Sequence, residues 1–219
     1  MRLPLAAASL TAFAAHSWAA GGHFDVDDAT VLDPGRCQVE TWVLRAPSLP
    51  ATVVHVGPGC RAGPVEIGLN IDRAMRPGDN RSWLGPQLKW VIDPLVDKLS
   101  AGIAWSASYD LTQHGRPAQT LYLPFTWWAG EKLWVHANLG LDRDTDGVRW
   151  RRQGLSGEWA ASDRFTFIAE RVKIVGDWGS RLGGRVNVNA TLSVDLSAAR
   201  VGPRAARVYV IGLNQEFAR

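Results

Sequence analysis

The sequence predicts an all-β fold, a transmembrane antiparallel up-and-down β-barrel of about 12 strands. Three observations carry that expectation. An export-type leader opens the chain. Segments that alternate apolar and polar residues fill most of the remainder. The connections between them carry Gly, Pro, Asn and Asp in turn-forming combinations.

The leader comes first because it sets the compartment. Met1-Arg2 supplies a positive start, Leu3 to Ala15 is apolar and Ala-rich, and Ser17-Trp18-Ala19-Ala20 offers small residues for cleavage. Its apolar run is shorter than the roughly 20 residues a spanning helix needs, and His16 interrupts it. The expected organisation is a signal peptide at 1–20, an N-terminal arm at 21–35 that is periplasmic or a plug, and a barrel at 36–219. Past the leader, no segment approaches the length of a membrane helix, so a spanning chain would have to close its strands into a barrel. A soluble secreted β domain is the competing architecture. The formal charge of +3 is too small to argue for nucleic acid.

The arm, Gly21 to Gly35, is acidic and aperiodic, with Asp25, Asp27, Asp28 and Asp33. Its spacing is not that of a calcium-binding EF-hand, which leaves it as a segment lying in the barrel mouth or the periplasm. Strands are then expected at Cys37–Arg45, Thr52–Cys60, Val65–Arg73, Trp83–Ile92, Leu99–Tyr109, Thr120–Trp128, Leu133–Leu141, Val148–Ala160, Arg164–Val172, Leu182–Asn189, Leu192–Ala198 and Val208–Phe217. In the third, Val65, Ile67, Leu69 and Ile71 share one face, and Glu66, Gly68, Asn70 and Asp72 share the other. The fifth and seventh alternate as cleanly. In the fifth, the inward set Ser100, Gly102, Ala104, Ser106 and Ser108 is small and makes room for long neighbours such as Lys89 or Tyr122.

A soluble sandwich also alternates. Strand length separates the two: these strands run about 9–11 residues, the length a tilted strand needs to cross a bilayer, against about 5–6 in ordinary sheets. Longer polar loops are expected after the odd-numbered strands and tighter turns after the even ones. That asymmetry belongs to outer-membrane barrels and puts both termini in the periplasm. Trp83, Trp150 and Trp178 at one set of strand ends, and Trp90, Trp127, Trp128 and Trp159 at the other, suit the two aromatic girdles of such a barrel.

Register gives specific pairs. A first hairpin centred between Ser48 and Leu49 sets Cys37 opposite Cys60, close enough for a disulfide in an oxidising compartment. The same register sets Trp42 opposite His55. Arg185 falls opposite Asp195, Arg152 is expected to meet Glu170, and Glu158 to meet Arg164. Charges inside a barrel are costly unless paired, so opposed charges support an inward assignment. The expected lumen lining is Glu40, Trp42, His55, Asn70, Gln87, Lys89, His136, Asn138, Arg152, Glu170, Arg185 and Asp195.

Two stretches resemble known families. Tyr209-Val-Ile-Gly-Leu-Asn-Gln-Glu-Phe217 resembles the C-terminal sorting strand of bacterial outer-membrane barrels, with Gln215 where an aromatic is common and Ala218-Arg219 beyond the final Phe. Asp27-Asp28, followed by Gly35 and Gln38-Val-Glu40, is similar to the opening of the porin family named for the phenol-degradation meta-pathway. The first resemblance implies recognition by the barrel assembly machinery. The second implies uptake of hydrophobic or aromatic compounds.

Catalytic patterns are missing from the sequence. His136 and His55 have no nearby Ser of the kind outer-membrane phospholipases use. His114, with Asp110 before it, is the single hint of a rim protease. No Cys/His metal spacing or phosphate loop occurs, so no metal and no cofactor is expected. The functional expectation is a non-enzymatic narrow channel in the cell outer membrane. Its partners are the surrounding lipid, the assembly machinery and a small-molecule solute, with no role for nucleic acid. The alternatives are a structural or surface-binding barrel with a filled lumen and, behind it, a barrel enzyme acting on lipid or peptide.

Overall fold

The computed structural model describes residues 23–47, 51–113 and 115–219. The leader, the first two residues of the arm, the expected first-hairpin centre at 48–50 and His114 lie outside the described residues. Among the described residues there are twelve strands and no helix: β1 (Arg36–Ala46), β2 (Ala51–Ala62), β3 (Val65–Arg76), β4 (Asp79–Val96), β5 (Leu99–Asp110), β6 (Ala118–Trp128), β7 (Leu133–Arg143), β8 (Arg149–Ala160), β9 (Phe165–Ile174), β10 (Asp177–Asn187), β11 (Leu192–Val201) and β12 (Ala206–Ala218). Each pairs with its neighbour in the chain, and β12 returns antiparallel to β1, closing the barrel. The closing seam runs from Arg36 opposite Ala218 to Arg45 opposite Tyr209. No edge is left unpaired, which is what lipid demands of a sheet.

The two faces sort as the period of two requires. Ile67, Ile71, Leu121, Leu139, Phe167, Leu196 and Ile211 are among the outward side chains left exposed. Lys89, Asn138, Glu170, Arg185 and Asp195 are buried inside. A soluble barrel would have the reverse. So much exposed apolar surface exceeds what a monomer tolerates in water and matches a bilayer-embedded wall. This is the architecture of an outer-membrane barrel.

Three expectations need correcting. First, the strands extend into segments that read as loops. β4 is 18 residues long, Pro77-Gly78 alone joins β3 to β4, and Val175-Gly176 alone joins β9 to β10. Once two strands are held side by side, the residues beyond them meet ready partners, as at Arg76 opposite Asp79. The ladder therefore continues past the apolar band despite polar sequence. Gly78 and Gly176 sit at φ 78° and 87°, where a side chain would be strained.

Second, the tryptophans divide between the faces. Trp90, Trp127, Trp159 and Trp178 stay outward and exposed. Trp128 shares its face with the inward Thr126, Trp83 is registered beside the inward Asp72, and Trp150 beside the inward Asp142. Trp127 and Trp128 are consecutive in one strand and cannot both point at lipid. Third, the β8–β9 turn closes between Ser162 and Phe165, later than the expected centre. Glu170 therefore lies opposite Ser156, and Glu158 opposite Ile168. The expected Arg152–Glu170 and Glu158–Arg164 pairs do not form.

Candidate functional site

The lumen is occupied by the arm, which enters at the foot of β1 and crosses to β11. Near its start from β1, the Leu32 amide donates to Glu66 Oε2 at 3.0 Å and the Leu32 carbonyl accepts from Arg61 at 2.8 Å. The Ala29 amide donates to Thr126 Oγ1 at 2.7 Å. The Asp27 amide donates to Asn138 Oδ1 at 2.8 Å, and Asn138 Nδ2 returns a bond to the Asp27 carbonyl at 2.7 Å. The Asp25 and Val26 amides both reach Glu170 Oε2 at 3.0 Å. At its far end His23 bonds the Ser197 hydroxyl at 2.7 Å and stacks on Phe24.

The chemistry of this docking follows from the closed ladder. Wall strands have spent their backbone groups on one another, so the arm's amides and carbonyls are met by wall side chains. Asn138 does this with both ends of its amide, imitating a neighbouring strand. The arm's acids are met by cations. Lys89 Nζ lies 2.8 Å from Asp27 and 2.9 Å from Asp28. Tyr122 donates to the other Asp27 oxygen at 2.8 Å. Arg181 bridges Asp25 and Glu170, each at 2.8 Å. Arg152 bonds the Asp25 carbonyl at 2.9 Å and lies over the Tyr122 ring. Ala104 is registered between Lys89 and Tyr122, and its small side chain leaves both free to reach Asp27. Asp27 and Asp28 thus share Lys89, while Asp25 turns to Arg181.

Burial pushes the Asp27 carboxyl up, and Lys89 only partly offsets this. The His23 imidazole is lowered to about 4, by burial first and by Arg181 second.

The twelve lumen positions named from the sequence fall in two groups. Lys89, Asn138, Arg152 and Glu170 hold the arm. The others build the wall. Arg185 forms a two-pronged bond to Asp195 at 2.8 and 3.0 Å, and Asn214 adds a bond to Asp195 at 2.8 Å. Trp42 stacks on His55 with ring centroids 4.7 Å apart, and His55 Nδ1 lies 2.7 Å from Asp72. Asn70 donates to Gln87 at 3.1 Å, and Gln38 to Glu40 at 3.1 Å. His136 meets Thr126 Oγ1 at 2.9 Å and lies 3.7 Å from Glu158. That hydroxyl also accepts from Ala29, and Thr126 is sealed beneath the arm at 1% exposure. Cys37 and Cys60 form a disulfide at the foot of β1 and β2.

Sequence reasoning did not reach Arg181, Glu66, Arg61 and Thr126. Each is an ordinary inward residue on its own strand, and its arm partner is distant in sequence.

Between the arm and the wall of β1–β6 lies a chamber of about 410 Å³. Its charged lining includes Asp25, Asp27, Glu40, Glu66 and Asp72 against Lys89 and Arg152. Trp42 also borders a small apolar cluster of Ala46, Ala199, Val208 and Val210.

Solved porins share this fold. A KdgM porin superposes with a TM-score of 0.66 at 10% identity, over 82% of this chain and 99% of its own. A KdgM porin in complex with disordered oligogalacturonate gives 0.62 at 11%, over 83% and 99%. A NanC porin gives 0.60 at 10%, over 81% and 98%. At these identities the likeness is one of fold. No curated protein matches the sequence. A family model described as "Uncharacterised conserved protein UCP029691" matches residues 8–212. The resemblance of residues 27–40 to the phenol meta-pathway porins gains no support from that match.

Proposed function

The chain belongs to the family described as "Uncharacterised conserved protein UCP029691", and from that premise and the lumen geometry we propose that it is a narrow outer-membrane channel for small hydrophilic solutes, closed by its own N-terminal arm. One observation carries the reading. The arm–wall hydrogen bonds described above all use wall side chains, so the arm can leave without breaking the ladder that keeps the barrel closed. A filler needed for the wall's integrity would be woven into that ladder.

The lining supports a class of solute. With the arm's Asp25 and Asp27 set aside, the chamber wall still carries Glu40, Glu66 and Asp72 against Lys89 and Arg152, which favours cationic or neutral molecules over anions. A KdgM porin has been seen with oligogalacturonate, a chain of acids; this chamber suits the opposite charge. The polar walls also favour hydrophilic solutes over the hydrophobic or aromatic ones that the phenol-pathway resemblance implies. No chemistry is assigned to His136, His55 or any other side chain.

Planar-bilayer recording tests the proposal. The full mature protein is expected to show low or intermittent conductance, and a variant lacking residues 21–34 a steady one that is cation-selective in a salt gradient. A steady anion-selective current would overturn the solute class. Absence of current from both proteins would instead favour a structural barrel with a filled lumen. The full burial of Asn138 and Asp195 supports that second reading.

A further inference from the structure

The outer surface of β9–β12 presents a different chemistry from the lumen. We propose that this face binds a phosphorylated lipid of the outer leaflet, with its phosphates on a row of cations and its acyl chains in the groove beneath. The inference rests on a membrane barrel with its termini in the periplasm, and not on what passes through the lumen.

Register builds the row. Arg171 on β9 is opposite Ser180 on β10, Ser180 is opposite Arg200 on β11, and Arg200 is opposite Arg207 on β12. Lys173 lies one outward step further along β9, beside Trp178. The outward positions of β9–β12 carry these four cations and no acid, among the described residues. Arg200 and Arg207 are exposed, directly opposed like charges with no ion-pair partner among the described residues. Like charges placed directly across a ladder destabilise it. On a lipid-facing wall the cost rises further, unless an anion sits between them.

Height and shape fit the same occupant. With a rise of about 3.4 Å per residue and a tilt of about 40°, the run from Arg207 down to Phe217 stands about 26 Å tall, close to the height of a barrel's apolar band. The arginine end is the one opposite the termini, so it meets the outer leaflet. Strand tilt makes the row climb about 3 Å per strand, from Arg171 up to Arg207. Arg171 compensates for its lower position by bonding Ser180 at 2.7 Å and lying 5.0 Å over the Trp178 ring, on the way to the interface. A groove of about 1300 Å³ takes in the arginines of the row with Trp178, Gly202 and Ala205, and continues down the wall below them. Ala169 and Ala198 form its floor, and Leu155, Leu182 and Tyr209 stand up around them. Small residues between tall apolar ones leave channels suited to acyl chains.

The test uses the full mature protein in neutral detergent micelles. Native mass spectrometry would measure its binding to bis-phosphorylated lipid A and to the same lipid with both phosphates removed. The wild type is expected to prefer the phosphorylated lipid by on the order of a hundredfold, at about fivefold for each of three arginines. Arg171→Ala/Arg200→Ala/Arg207→Ala should bind both lipids alike, while the corresponding triple Lys variant should keep most of the preference. Heat-modifiable migration and circular dichroism would verify that each variant is a folded barrel; if the triple Ala variant does not fold, the three single Ala variants carry the comparison. Equal binding of the two lipids by the wild type, or an unchanged preference in the Ala variants, would overturn the proposal. Displacement of the lipid by millimolar inorganic phosphate would also overturn it, because the site would then be one for a free anion.

Discussion

Substituting Lys89→Met strips the arm of its central cation. Lys89 Nζ lies 2.8 Å from Asp27 and 2.9 Å from Asp28, and Glu66 is opposite Lys89 on β3. Asp28 and Glu66 are buried and Asp27 is half-buried against the chamber, so the substitution leaves carboxylates in the lumen without their counter-charge. Removing one partner of a buried pair costs about 3–5 kcal/mol. If that cost falls on the docked arm alone, the displaced arm gains population by about two to three and a half decades. Hydrogen exchange followed by mass spectrometry reads this directly. The amides of Val26 to Leu32 should exchange at least a hundredfold faster on that arithmetic, with the strand amides unchanged. Single-channel conductance should rise in parallel. Lys89→Met combined with Asp27→Asn and Asp28→Asn removes charge on both sides and should restore most of the protection. Arm exchange in Lys89→Met within about threefold of wild type, or equal acceleration of arm and strands, would refute the reasoning.

Three further outcomes are expected. A Cβ on Gly154 would stand 2.7 Å from Val26 and 3.2 Å from Val172, so Gly154→Leu should loosen the arm by about 1–3 kcal/mol without altering charge, seen as faster exchange at Val26. The Cys37–Cys60 bond closes a loop of sequence separation 23; Cys37→Ser/Cys60→Ser should lower barrel stability in urea by at most about 3 kcal/mol, since the hairpin already limits that loop. His23 is lowered from 6.5 to about 4 in the docked arm, by burial and Arg181 with Arg185 adding to them, against Asp195 and Asp25. Its contribution is therefore full above pH 6.5 and is lost, by about 3 kcal/mol, as pH falls from 6.5 toward 4. Asp27, whose carboxyl is raised, acts in the opposite sense, because its protonation on acidification eases burial. The His23 share is isolated by comparison: wild-type conductance should rise across that window more than that of His23→Gln, and identical profiles would rule the histidine out.

The barrel was legible in the sequence because its rule is local. A period of two needs only neighbouring residues, and Val65 to Ile71 declare their face without knowledge of any other strand. Register was legible between β1 and β2, where the pairs run from Cys37–Cys60 to Ala46–Ala51 as expected, and failed at Ala161–Asp163, where the turn closes later and shifts every pair above it. Position along the strand places Trp128 at the interface, but Trp127 beside it already takes the outward parity, so Trp128 turns inward. The arm was the least legible part. Asp25, Asp27 and Asp28 have no period, and the partners that order them, Arg181 and Lys89, lie 156 and about 60 residues away. Only the closed wall brings those cations into one cross-section, so no window of sequence contains the pattern.

The disulfide at the foot of the first hairpin bears on the order in which the wall comes together. Cys37 is opposite Cys60 on one side and opposite Phe217 on the other. The covalent staple therefore sits beside β12, at the seam where the sheet must find its own beginning. A hairpin whose two strands are already locked in register offers its free edge as a rigid template, on which β12 has one alignment to find. An unlocked hairpin could slide, and a slide by one residue would turn every side chain of β1 to the wrong face. Oxidation ahead of closure would thus convert a search over registers into a docking step, and the chain's first two strands would act as the mould for its last.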